Sequence, residues 1–184
     1  MLPGCGSLPS PNPLGATNAA KSGVVNDAAY QSLYSFQGSP DGEQPRAGLT
    51  YFDGKLYGTT NLGGITGSNC AACGTVYRIG TDGREDVLYR FEGPPDGAYP
   101  ESDLTPARKH AYYLGTTYSG GSGCSGSCGT IFKITPNGSE HILYSFKGGT
   151  DGSHPKGGVF VLNAALYTAR RGRVDATAAV RYTC

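Results

Sequence analysis

The chain has 184 residues, a formal net charge of +1 and only 16% Asp, Glu, Lys and Arg, the length of one ordinary domain. Near-neutrality excludes the basic excess that marks a nucleic-acid binder, and no apolar run reaches the roughly 18 residues of a membrane-spanning helix. Glycine is abundant, at 30 residues, but it does not recur every third position and no heptad is sustained, so collagen and coiled coil are excluded as well.

Residues 1–28 are rich in Pro, Gly, Ser, Asn and Ala and aperiodic, the composition of a tether or spacer. Within them Leu2-Pro3-Gly4-Cys5-Gly6-Ser7 resembles the end of a bacterial lipoprotein signal, which makes Cys5 the candidate lipidated residue. No charged n-region and no apolar h-region precede it. That reading therefore needs a start further upstream, and otherwise Cys5 is an incidental cysteine.

From residue 29 the chain repeats at an offset of 55. LYSF at 33–36 returns as LYRF at 88–91 and LYSF at 143–146. Each copy is followed by an Asp-Gly turn (Asp41, Asp96, Asp151) and a proline (Pro45, Pro100, Pro155). Then come Leu49, Leu104 or Val159, KLYGTT at 55–60 or YYLGTT at 112–117, and a Gly-Gly pair. A cysteine pair closes the set, Cys70/Cys73 or Cys124/Cys128, running straight into GTVYRI at 74–79 or GTIFKI at 129–134. This divides the chain into repeat 1 (29–87), repeat 2 (88–142) and a partial repeat 3 (143–167). After Tyr167 the expected Gly-Thr-Thr is replaced by Thr168-Ala169-Arg170. The aberrant tail 168–184 is rich in Ala and Arg, as glycine codons read out of frame would be. A frameshift after Tyr167 is the preferred reading, and a divergent natural cap is the alternative.

Each unit reads as four short strands, GLTYF, KLYGTT, GTVYRI and EDVLYRF, rich in Tyr, Val, Ile, Thr and Leu. Asp53-Gly54 and Asp82-Gly83 are tight-turn signals. The expected fold is all-β: four-stranded antiparallel blades in a partial β-propeller-like array of about two and a half repeats. The order LYSF…DG…P…LYGTT…GG…C…C…GTV(Y/F)(R/K)I over residues 29–167 resembles the choice-of-anchor tandem-repeat GloVer family of bacteria. That resemblance implies a β-propeller-like repeat in exported, surface-held proteins, and it implies no reaction. Two complete units leave open edge strands, so the chain reads as a fragment of a longer product, or as one that self-associates through those edges.

The chemistry-bearing residues are few. Cys70, Cys73, Cys124 and Cys128 are candidate disulfides, preferred over tetrahedral zinc because the two spacings differ and the pairs lie in different repeats. Three pairings of the four cysteines remain open. The recurring Asp-Gly turns could seat calcium, but one carboxylate per turn is too few, and turn chemistry is the preferred reading. His110, His141 and His154 occupy non-equivalent positions without a nucleophile motif beside them. Thr59, Thr60, Thr116 and Thr117 form a candidate ligand face for a glycan or surface polymer, but the preferred reading is strand propensity of Thr beside glycines that allow a bend or close packing. No catalytic, cofactor or metal residue is singled out. The preferred function is a non-catalytic binding or adhesion module at the cell surface or in the periplasm, with Cys5 as the candidate site of a lipid anchor. The alternatives are a fragment of a propeller-scaffold glycan-processing enzyme, or a non-functional remnant of a longer repeat protein.

Overall fold

Runs of β-branched and aromatic residues punctuated by Asp-Gly, Asn-Gly and Gly-Gly favour short strands joined by tight turns. A computed structural model describes residues 31–65, 70–162, 165–168 and 178–181, and the strands fall where those runs lie. Repeat 1 contributes β1 (Gly42–Glu43), β2 (Thr50–Phe52), β3 (Lys55–Thr60), β4 (Leu62–Gly63), β5 (Thr75–Gly80) and β6 (Glu85–Arg90). Repeat 2 contributes β7 (Gly97–Pro100), β8 (Thr105–Ala107), β9 (Tyr112–Gly120), β10 (Thr130–Ile134) and β11 (Glu140–Ser145). Then follow β12 (Val159–Leu162), β13 (Ala165–Thr168) and β14 (Ala178–Arg181). The repeat boundaries drawn at 87/88 and 142/143 fall inside β6 and β11, so each sheet is out of phase with the period read from LYSF.

The first sheet is antiparallel in the order β2-β3-β5-β6, with β1 and β4 paired beside it. The second is its counterpart, with β8 and β10 flanking β9 and β11 outside β10. There the strand corresponding to β3 and β4 runs unbroken as β9, so β7 joins the same sheet. In both sheets the last pair slips by one residue at the same place, between Val76 and Tyr77 and between Ile131 and Phe132. The β2–β3 hairpin turns on Asp53 (φ 48°) and Gly54 (φ 71°), the double positive φ of a type I′ turn. The two residues inserted in repeat 2 widen that hairpin, where Arg108, Lys109 and His110 take positive φ and the Ala111 N–H closes on the Arg108 carbonyl at 3.2 Å.

A third sheet has the order β12-β13-β14. In it Thr168 and residues 178–181 of the expected aberrant tail lie in strands, and Ala178–Arg181 takes the place that β5 and β10 hold. Its register also differs in kind. Gly58 faces Tyr77 and Gly115 faces Phe132, whereas Thr168 faces Ala178.

Side chains alternate across each pleat, so the second sheet is buried on both faces. One face places Tyr113, Phe132 and Ile134 in a core with Tyr57, Val76, Phe91 and Leu104. The other places Leu114 and Ile131 with Phe146 and Val159. Burying such a side chain contributes about 1.5–3 kcal/mol. The aromatic pairs repeat with the sequence: Phe36 meets Tyr77 edge-on at 4.7 Å, and Phe91 meets Phe132 at 5.2 Å. The residue that follows the last strand of one sheet thus packs against the third strand of the next.

Candidate functional site

The three Asp-Gly turns are built alike. The Asp41 carboxylate accepts the Tyr34 hydroxyl and the Gln37 N–H, both at 2.8 Å, and also the Gly42 N–H. Asp96 accepts the Tyr89 hydroxyl at 3.0 Å, the Glu92 N–H at 2.9 Å and the Gly97 N–H at 2.6 Å. Asp151 accepts the Tyr144 hydroxyl at 2.6 Å and the Lys147 N–H at 2.7 Å. These are charge-assisted bonds, stronger than neutral ones. The carboxylates are engaged as turn clamps, in line with the turn-chemistry reading. The bond to Asp41 raises the Tyr34 phenol to about 12. Burial raises Asp96, and the two N–H donors and the Tyr89 hydroxyl oppose that rise.

Thr59, Thr60, Thr116 and Thr117 do not lie on an open face, as the candidate ligand surface would need, and their burial agrees with the strand-and-packing reading. They are 1%, 0%, 0% and 0% exposed, and their hydroxyls are engaged inside the fold. Thr60 and Thr75 share a hydrogen bond at 2.7 Å, and Thr117 and Thr130 share one at 2.8 Å. Thr59 donates to the Ser102 carbonyl at 3.3 Å, and Thr116 donates to the Gly157 carbonyl at 3.1 Å. Thr60 and Thr117 therefore brace neighbouring strands, Thr59 and Thr116 reach into the following repeat, and the four do not form a solvent-facing ligand surface. The reason is their strand: β3 and β9 are inner strands of sheets that other sheets cover, so polar groups there must be satisfied internally.

The cysteines pair within their own loops, Cys70 with Cys73 and Cys124 with Cys128, at Cα separations of 5.7 and 5.5 Å. Each loop is pinned to the Asp-Gly turn of the following repeat. The Tyr99 N–H bonds the Cys73 carbonyl at 2.8 Å, and the His154 N–H bonds the Cys128 carbonyl at 2.8 Å. The glycine after each pair has no room for a side chain. A Cβ on Gly74 would stand 2.7 Å from Pro100 Cδ, and one on Gly129 would stand 2.8 Å from Pro155 Cδ. This contact explains why Cys-Gly-Thr and Asp-Gly-x-x-Pro recur together.

The same junction presents different side chains on a constant backbone. Gln44, Tyr99 and His154 hold φ of 55°, 58° and 54° at equivalent positions. The Tyr99 hydroxyl lies 3.4 Å from Cys70 Sγ, and the His154 ring lies 4.5 Å from that of Tyr118. Lys156 Nζ stands 5.1 Å above the Tyr118 ring. Non-glycine residues at positive φ are uncommon and often mark functional loops.

Two acidic residues escaped the motif reading, Glu85 and Glu140, which open β6 and β11. Burial raises Glu85 to about 7 and Glu140 to about 8, with the neighbouring Asp41 and Asp96 carboxylates adding to the effect. In each, one oxygen is buried without a hydrogen-bond partner. Their 55-residue spacing was the available signal. The histidines do not converge: His110 stacks on Phe52 at 4.1 Å, His141 approaches Ser139 at 3.4 Å, and His154 lies at the loop junction. Among the described residues no three of His, Cys, Asp and Glu gather as metal ligands would. Cys5 lies outside the described residues.

The sequence profile of the Gloeobacter/Verrucomicrobia repeat matches residues 19–180. The chain belongs to that family. In this chain the recurring glycines, Asp-Gly turns and Thr-Thr pairs are the parts that hold each sheet together and join it to the next. No curated protein matches the chain significantly. Among the described residues no helix of this Gloeobacter/Verrucomicrobia repeat is long and apolar enough to cross a membrane.

Proposed function

We propose that this chain is a non-catalytic binding or adhesion module built from β-propeller-like repeats, exported to the cell surface or periplasm, with a glycan or surface polymer as its ligand. The observation that carries the reading is the loop junction. Tyr99 and His154 differ in chemistry on one backbone geometry, which Gln44 shares, and both are bonded to loops stapled by disulfides. A rigid scaffold carrying variable loop residues is how binding proteins divide stability from recognition. Disulfides persist in oxidising compartments, which supports export, and Cys5 is the residue that would carry a lipid anchor. Tyr99 and His154 are partly exposed amphipathic rings, a type of side chain that meets a sugar ring with its edge or polar tip.

The test is to incubate the oxidised full chain with a panel of polysaccharides, alongside Tyr99→Ala and His154→Ala, and to record both retention and release of reducing ends. Saturable retention without turnover, weakened about tenfold by either substitution, supports the reading. Release of reducing ends would favour a glycan-processing enzyme. Retention unaffected by both substitutions would remove the junction as the binding surface.

A further inference from the structure

The repeat-to-repeat interface is charged as well as apolar, and the charges alternate. Arg46, Glu101 and Lys156 occupy one position in three successive repeats. Glu101 takes Arg46 on one oxygen at 3.0 Å and Lys156 on the other at 2.9 Å. The Glu101 side chain is largely covered, and both cations are more than half exposed. At either end of the ladder stands a half-exposed cation: Arg46, whose Nη2 also donates to Gln44 Oε1 at 2.8 Å, and Lys156, whose Nζ also lies over the Tyr118 ring.

The first and last repeats also expose apolar side chains. Leu104 and Val159 are 2% exposed, each buried against the repeat before it, whereas their counterpart Leu49 is 52% exposed. The Thr50 hydroxyl donates to the Leu104 carbonyl of the repeat that follows. One residue beyond Val159, in the last repeat, stands Phe160, 63% exposed. The LYSF segment at 33–36 repeats residues 143–146, whose first three close a sheet as part of β11. Among the described residues 33–36 pairs with no strand. A further sheet of this kind would cover those side chains as Leu104 and Val159 are covered inside the chain.

We infer that both end faces are docking surfaces for a further repeat carrying a carboxylate at the position of Glu101, and that a second copy of this chain is not the partner. A second copy stacked head to tail would bring its Arg46 beside Lys156, two cations where the internal interface places a cation against a carboxylate. Like charges across an interface act against association and so select the partner. A repeat of the Glu101 type restores the alternation at either end and covers Leu49 or Phe160 in the same step. This inference does not depend on the ligand-binding reading.

The chain can be made to supply its own missing carboxylate. Arg46→Glu sets a carboxylate of one copy against Lys156 of the next, and Lys156→Glu sets one against Arg46. The double variant restores like charges, now both acidic. Sedimentation of the full chain at low ionic strength should show each single variant self-associating about tenfold more tightly than the parent. The gain should shrink as salt screens the pair, and the double variant should return to the parent's level. Circular dichroism checks that all four are folded to the same extent. The inference is overturned if the parent self-associates as tightly as the single variants, if no variant differs from it, or if the double variant associates most. The last pattern would mean that loss of the internal Glu101 pairs exposes sticky surface.

Discussion

Gly115 on β9 is the clearest point at which one residue controls how two sheets meet. Its backbone is ordinary strand, so the demand for glycine is one of space alone. A Cβ there would stand 2.8 Å from Phe132 Cε1, closer still to Cζ, and 3.2 Å from Leu104 Cδ2. Phe132 is fully buried and cannot swing away, because it packs edge-on against Phe91. Gly115→Ala is therefore an overpacking change, expected to cost about 1–3 kcal/mol. Phe132→Leu removes the two ring atoms that the new methyl would strike, and by itself costs about 1–2 kcal/mol for the smaller side chain. If space is the whole reason, the double variant should be about as stable as Phe132→Leu alone. The coupling would then recover about 1–3 kcal/mol. Urea unfolding of the four chains, followed by circular dichroism, measures it. Additivity within about 0.5 kcal/mol would refute the reasoning, since the two residues would then act independently. At the matching place in the third repeat the backbone register pairs Thr168 with Ala178.

Two further outcomes are expected. Glu140 is raised to about 8 by burial, so the folded state holds its proton more tightly than the unfolded chain. Stability from this group is fully present below its ordinary value of 4.5 and is lost as pH rises through about 8. Glu140→Gln should therefore raise stability at pH 9 by about 1–2 kcal/mol, after discounting for partial exposure, and change it little at pH 5. Thermal melts across that range would show the opposite trend if the carboxylate were held ionised by a cation. Reduction of the two disulfides should lower stability by about 2 kcal/mol each, because the closed loops are short. Melts with and without reductant, with free thiols counted by mass spectrometry, test this; no change would mean that the pinning to Tyr99 and His154 alone orders the loops.

The Asp-Gly clamps and the cysteine loops were legible in sequence because their partners lie close along the chain. Tyr34 sits seven residues from Asp41, and Cys70 three from Cys73. Turn chemistry is local, and local spacing reports it. The threonines' long-range partners were illegible for the opposite reason. Thr59 and Thr116 meet Ser102 and Gly157, 43 and 41 residues away, so no spacing within one repeat shows that their hydroxyls are spent. Glu85 and Glu140 were visible only as a recurring letter at the start of a strand. Their raised proton affinity arises from burial beside carboxylates of another turn.

By itself, the sequence determined the 55-residue period, the all-β antiparallel sheets, the hairpin turns and the family, because each rests on alternation, β propensity and residues that tolerate positive φ. The tertiary structure alone decided which face of each strand is covered. It placed Leu104 inside and Leu49 outside, buried the Thr-Thr pairs, and strung Arg46, Glu101 and Lys156 into one ladder. Identical positions in successive repeats differ there because burial and charge pairing depend on what stands beside a repeat, and a repeating sequence does not carry that information within any single unit.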